Sequence, residues 1–174
     1  ALANAATPIA FVQGDLTSVP LVPGSVDVLL CSEVFEHIDP NAYSLSVLSS
    51  LLSPDGVLIF TTPQPGSLIE VLGRFAYRSP LINLLRAIYK EPVEPTGHIN
   101  VMSARKLKRA FADANLEVER EDFLGFYLPL LAEFGGQWGA RLQNRIETRL
   151  RKSSLKNMLW TQCYVLRRKS RSAL

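Results

Sequence analysis

Cysteine, histidine, methionine and tryptophan each occur just twice among the 174 residues, and so few cysteines exclude a disulfide scaffold. The 10 glycines and 11 prolines follow no period, which excludes a collagen-like chain. No stretch approaches the roughly 18 consecutive apolar residues of a membrane span, and no charged-then-apolar leader precedes a small-residue cleavage site. No internal repeat and no low-complexity segment occurs. What is present is a hydrophobic fraction of 47% against 20% charged residues, too apolar for disorder and enough for one domain with a buried core. A soluble, cytoplasmic domain is therefore expected. Cys31 and Cys163 each lie inside an apolar, strand-like run, which predicts buried free thiols of a reducing compartment.

The formal net charge of +3 hides an asymmetry. Residues 1–140 carry 9 Lys+Arg against 15 Asp+Glu, a net −6, whereas residues 141–174 carry 10 Lys+Arg and the single acidic residue Glu147, a net +9. Basic character is thus a C-terminal property. Within it Arg141, Arg145, Arg149 and Lys152 recur at helical spacing, with Leu142, Ile146 and Leu150 on another face. A solvated helix face and a surface for anionic lipids both fit this pattern; nucleic acid is the less expected partner, because the run has no interleaved aromatics and no RNA-binding module. At the other end, Ala1 to Thr7 looks like the end of a helix, so further sequence upstream is expected.

The apolar pattern alternates between strand and helix. Ile9 to Val12, closed by Gly14 and Asp15, and Val26 to Ser32 (VDVLLCS) read as strands, the second of the kind buried on both faces of a parallel sheet. Pro20, Pro23 and Gly24 make the stretch between them a loop. Asp39-Pro40 is a helix-start signal, followed at helical spacing by Leu45, Leu48, Leu51 and Leu52, and Pro54-Asp55-Gly56 is expected to end that helix in a turn. Val57 to Thr61 (VLIFT) is the next strand, stopped by Pro63 and Pro65. Strand, helix and strand at this spacing form a βαβ unit with parallel strands. Residues 67–91 predict two short amphipathic helices broken at Ser79-Pro80, either packed on the core or acting as a lid over a lipophilic substrate. A helix from Ser103 to Ala114 with Asn115 as its C-cap, a strand over Leu116 to Phe123, a helical stretch from about Leu128 to Lys152 and a last strand over Trp160 to Leu166 complete the chain.

Three stretches are informative together: Gly14-Asp15-Leu16, then Val26 through Ser32-Glu33-Val34-Phe35-Glu36-His37, then Leu51-Leu52-Ser53-Pro54-Asp55-Gly56-Val57-Leu58-Ile59. In this order and spacing they resemble the central and C-terminal part of a class I S-adenosylmethionine-dependent methyltransferase of the type 11/23 kind, and the ubiquinone-biosynthesis O-methyltransferases in particular. Gly97-His98, the helix from Ser103 and the two closing strands extend the resemblance over most of the chain. It implies an α/β fold, a Rossmann-like sheet that is mostly parallel, with the closing strands as an antiparallel C-terminal hairpin. It also implies helical insertions at about 67–95 and 126–158 in a single partial domain over residues 1–174. The family's Gly-rich turn after its first strand is missing, since no Gly-x-Gly occurs anywhere. The expectation is therefore a domain lacking its first two strands and supplying roughly the last five.

The same resemblance implies S-adenosylmethionine as the methyl donor. It places Asp15 and the Leu16 backbone amide at the adenine and Ser32 at the methionine side, although Asp15 in the other reading simply orders a turn after Gly14. Glu33, Glu36 and His37, at i, i+3 and i+4, are residue types that ligate Mg²⁺ when they share a helical face, and His98 is the candidate later ligand. That pattern resembles two metal-dependent branches, the ubiquinone-biosynthesis O-methyltransferases and the small-RNA 2′-O-methyltransferases. Where no metal takes part, Glu36 and His37 cap and pack the following helix, and His37 is the candidate general base, with His98 second. The function implied is methyl transfer to a small or lipophilic acceptor, through oxygen. The rival expectations are a non-catalytic methyltransferase-like binding or scaffold module and a membrane-peripheral lipid-binding protein.

Overall fold

The computed structural model describes residues 10–16, 20–39, 44–79, 99–128, 131 and 134–169. Four strands form one sheet: β1 (Val26–Ser32), β2 (Leu52–Pro63), β3 (Leu116–Leu124) and β4 (Thr161–Arg168), in the order β1-β2-β4-β3. Among the described residues the helices that accompany them are α1 (Ser44–Leu51), α2 (Leu68–Tyr77), α3 (Ala104–Asp113) and α4 (Gly136–Arg151). β1 and β2 are parallel and joined through α1, as the βαβ reading requires, and β3 and β4 are the expected antiparallel hairpin edge. Because β2 also pairs with β4 in antiparallel fashion, the described sheet is mixed rather than mostly parallel.

Alternation along the strands fixes which face is buried. Cys31, Leu58, Phe60, Tyr164 and Leu166 point to one side, where Leu45 and Leu48 of α1 and Leu107 and Phe111 of α3 complete the core. Four aromatic rings run through it edge to face: Phe35 to Phe60 at 5.4 Å, Phe60 to Phe111 at 5.2 Å and Phe111 to Tyr164 at 5.2 Å. Along β1 the opposite face is open. Val28 and Leu30 are 65% and 67% exposed, so the expectation that β1 is buried on both faces does not hold among the described residues.

Other boundaries move for identifiable reasons. Ile9 lies outside the described residues, and Ala10 to Val12 are not a strand: Phe11 and Val12 are exposed and no described strand pairs with them. An apolar run without a ladder to join does not become a strand. The fifth strand is thus not seen among the described residues. β2 starts at Leu52, earlier than expected; Ser53 to Gly56 bulge out opposite Asp27, held by the Ser53 hydroxyl on the Asp27 carboxylate at 2.8 Å. Pro40 and the second helix expected after Ser79-Pro80 lie outside the described residues. α2 is capped by Ser67, whose hydroxyl accepts from the Glu70 amide, whereas Ser103 precedes α3 without a side-chain capping bond. Asn115 adopts φ +60, the left-handed C-terminal position expected of it. Of the helical stretch anticipated from about Leu128, Leu131 and Phe134 are helical, the Gly135 amide donating to the Leu131 carbonyl at 3.1 Å, and α4 follows from Gly136, whose φ of +51, a conformation that favours glycine, interrupts the helix. No described helix is long and apolar enough to cross a membrane.

The two faces make a testable contrast. Phe60→Ala should cost about 3–5 kcal/mol in urea unfolding, as a buried aromatic does, whereas Leu30→Ala on the open face should cost well under half of that. Equal losses would show that the open face is covered by packing as tight as the core.

Candidate functional site

In an open sheet the carboxyl ends of parallel strands are where side chains can converge on a ligand. Here β1 ends in Ser32 and β2 in Thr61-Thr62-Pro63. Ser32 and Thr61 are register partners, and their hydroxyls meet at 2.9 Å. The Thr61 hydroxyl also donates to Glu33 Oε1 at 3.0 Å. Since an ionised carboxylate only accepts, the Thr61 hydrogen is committed to Glu33 and Ser32 donates to Thr61. Ser32 is left with lone pairs to offer. The Glu33 amide donates to the Thr61 carbonyl at 3.1 Å, and Glu33 itself is held at φ +53, a conformation costly for a residue with a side chain. That strained residue turns the chain out of β1 and into a short 3-10 turn, Phe35–His37.

The 3-10 turn separates the three candidate ligands. Glu36 is fully buried, and its Oε2 accepts from the Thr62 hydroxyl at 3.2 Å, while Oε1 has no hydrogen-bond partner. The His37 ring is half-exposed, with Nε2 3.9 Å from Glu36 Oε1. Glu33 stands on the cleft side with Thr61. Glu33, Glu36 and His37 therefore do not share one helical face, and among the described residues no group of three acidic, His or Cys side chains is placed to hold a metal ion. His98 lies outside the described residues, but Ile99 and Asn100 directly after it are anchored on this turn: both amides donate to the Glu36 carbonyl, at 2.9 and 3.0 Å.

Beneath the turn lies a layer of buried polar residues that strand patterning alone did not reveal. Thr62, Gln64, Ser67, Asn100 and Gln162 are all buried, as Glu36 is. Gln162 Nε2 donates to the Pro63 carbonyl at 3.1 Å and to the Met102 carbonyl at 2.8 Å, and its Oε1 accepts from the Tyr164 hydroxyl at 3.0 Å. The sequence signal was there: a glutamine inside the run WTQCYVL, and two threonines closing VLIFTT. Three buried polar atoms in this region, Glu36 Oε1, Gln64 Oε1 and Trp160 Nε1, lack a hydrogen-bond partner among the described residues. Unpaired buried polar atoms cost free energy and are uncommon, so they mark a place where something else supplies the partner.

An open cleft of about 400 Å³ runs along this rim, lined by Ser32, Glu33, Thr61, Leu124, Gly125 and Trp160. Its volume falls in the range of small-ligand sites. Gly125 adopts φ +80, and its carbonyl accepts the Trp160 amide at 2.9 Å, which sets the indole at the edge of the cleft. Neither Asp15 nor Leu16 lines it: Leu16 packs against the core cluster and Asp15 is exposed beside it. Of the expected site residues, then, the structure gathers Ser32, Glu33, Glu36 and His37 at one rim and leaves the Asp15-Leu16 pair apart from the cleft.

Cys31 lies beneath the rim, in the core, and Cys163 on the open face; both thiols are free, the first buried as expected and the second half-buried. Burial, with the nearby Glu36 charge adding to it, pushes the Cys31 thiol up to about 11. Cys163 is also raised, by burial first and by Asp122 second. On the open face burial pushes the Asp122 carboxyl up, but Arg151, which bonds it through both Nε and Nη2, outweighs that and holds it below the ordinary range.

The comparisons with known proteins bear on this geometry. Residues 8–121 match the model of a methyltransferase domain family. No curated protein sequence matches the chain. Among solved structures, a chain of the Haloferax volcanii complex between the Trm112 methyltransferase activator and a candidate methyltransferase is 18% identical, with a TM-score of 0.54, covering 92% of this chain and 62% of that one. An S-adenosylmethionine-dependent methyltransferase from Mesorhizobium loti is 14% identical, with a TM-score of 0.55, covering 94% of this chain and 71% of that one. One from Archaeoglobus fulgidus is 17% identical, with a TM-score of 0.50, covering 89% and 66%. At these identities the likeness is one of fold, and the chain spans 62% of the length of the first of them.

A thiolate-specific reagent probes the rim. At pH 8 the native protein should label at Cys163 first and leave Cys31 unreacted until unfolding, and Glu36→Gln should move the Cys31 titration down, since it removes a negative charge. Native labelling of Cys31 as fast as a free thiol, followed by mass spectrometry, would contradict the assignment.

Proposed function

The chain belongs to the methyltransferase domain family, and from that membership we propose that it transfers a methyl group from S-adenosylmethionine to the hydroxyl oxygen of a small or lipophilic acceptor at the rim built by Ser32, Glu33, Glu36 and His37. The observation that carries the reading is the half-exposed His37 imidazole beside the buried Glu36 carboxylate, at the carboxyl end of a parallel strand pair. When bound, S-adenosylmethionine supplies a sulfonium methyl that is already a strong electrophile, so the protein's share is positioning and one proton. A hydroxyl has to lose its proton as it attacks, and the imidazole of His37 is the group placed to take it.

The rim fits such a cofactor on the observations above. Ser32, its hydrogen spent on Thr61, presents lone pairs suited to an ammonium group and so to the methionine end. Trp160 Nε1 is a buried donor still wanting an acceptor. Asp15 and the Leu16 amide, which do not line the cleft, are the candidate adenine contacts in this reading. The Gly-rich turn of such cofactor sites does not occur in this chain, which contains no Gly-x-Gly. His98, directly before the anchored Ile99-Asn100 pair in the sequence, is the second candidate base.

Calorimetric titration with S-adenosylhomocysteine tests the cofactor half. Ser32→Ala should weaken binding about tenfold or more, the worth of a hydrogen bond to a charged group, Asp15→Ala should weaken it comparably, and His37→Ala should leave it unchanged. Binding indifferent to both Ser32→Ala and Asp15→Ala, or no binding at all, would overturn the site.

A further inference from the structure

The helix α4 carries a feature that methyl transfer does not use. Taken at 100° per residue, Trp138, Arg141, Arg145, Arg149 and Lys152 fall on one stripe less than a quarter of the circumference wide. All five are exposed, Trp138 by 68%. Leu142, Ile146 and Leu150 turn to the protein instead and are half-buried. Phe134, 71% exposed, precedes the helix, and Leu155, 55% exposed, follows it.

The charges around the stripe are arranged to leave it positive. Glu147, the one acidic residue of the basic segment, points inward, where its Oε2 accepts the Phe126 amide at 3.1 Å. Gln143 does the same for Leu128 at 2.9 Å, so the stretch 126–128 is fastened to the inner side of the helix. Arg151, off the stripe, is consumed by Asp122 on β3. Among the described residues Arg141, Arg145, Arg149 and Lys152 form no ion pair. Four cations in a row, unneutralised on a chain whose first 140 residues are net acidic, are a surface waiting for a counter-charge.

From the exposed aromatics and the unpaired cations together we propose that this face of α4 docks on an anionic lipid surface. The stripe alone would serve any polyanion. Phe134 and Leu155 at its two ends decide the matter: exposed apolar side chains gain nothing from a phosphodiester backbone but partition into the headgroup boundary, and Trp138 is the residue type most at home there. Arginines then sit at the level of the lipid phosphates. This inference is independent of the methyl-transfer reading, although a lipophilic acceptor would be met at the same surface.

Co-sedimentation of the full chain with vesicles of phosphatidylcholine alone, and of phosphatidylcholine with phosphatidylserine, tests it. Binding should appear with the anionic vesicles, fall as salt rises, and blue-shift the tryptophan emission in the wild type but not in Trp138→Phe. Each neutralised arginine should weaken it about fivefold, and Arg145→Glu with Arg149→Glu should abolish it, while Arg105→Glu with Lys106→Glu, exposed on α3, should not. Circular dichroism shows whether each variant folds. Equal binding to neutral vesicles, no binding to anionic ones, or full binding by the α4 double variant would overturn the proposal. Displacement from the anionic vesicles by a single-stranded RNA oligonucleotide at equal phosphate concentration would overturn it in favour of a nucleic-acid surface.

Discussion

A carboxylate with no access to solvent, that of Glu36, ties together the elements that meet at the carboxyl end of the sheet. Its side chain reaches across to Thr62 on β2, and its backbone carbonyl receives the amides of Ile99 and Asn100 as the chain returns from residues 80–98. Asn100 reciprocates, its Nδ2 donating to the Phe35 carbonyl. Breaking one partner of such a network leaves a buried charge uncompensated, which is why groups of this kind are costly to alter and restrict the alternatives open to the chain. Gln162 continues the network from β4 to Pro63 and Met102. The return of the chain after α2 is thereby pinned at both ends of a short stretch.

The core and the rim are joined through one residue. Phe35 heads the aromatic series that runs through Phe60 and Phe111 to Tyr164, and it is also the first residue of the 3-10 turn that carries Glu36 and His37. Packing on the buried side thus sets the position of the imidazole on the exposed side. Glu33 accommodates the geometry by taking a positive φ between the end of β1 and the turn, a local cost carried by the packing of Phe35 and the hydrogen bonds to Thr61. Groups positioned in this way need little rearrangement when a ligand arrives, and preorganisation is the main contribution such a site can make.

Much of the fold could be read from residue order. Val26 to Ser32 is a strand with the predicted ends, the parallel pairing through α1 follows from strand, helix and strand at that spacing, and the closing hairpin forms as anticipated. The misses have local causes. Apolar side chains at Phe11 and Val12 look like strand residues, but a strand needs a neighbour, and periodicity does not report one. Pro54-Asp55-Gly56 reads as a turn and is a bulge, because β1 offers a ladder on both sides of it. The i, i+3, i+4 spacing of Glu33, Glu36 and His37 suggests one helical face only if the segment is α-helical, and a residue at positive φ followed by a 3-10 turn dissolves that face. The buried polar layer was the least legible part, since single Thr and Gln residues in apolar runs gain their meaning only from partners far along the chain.

The central claim is that the carboxyl ends of β1 and β2 form the cofactor-binding rim. Backbone amide chemical shifts of the isotopically labelled chain, followed through a titration with S-adenosylhomocysteine, address it residue by residue. The account predicts that the largest changes fall on Ser32 through His37 and on Thr61, Thr62 and the Trp160 indole N–H. Changes confined to α4 or to the open face around Val28 and Leu30, with those resonances unmoved, would contradict it.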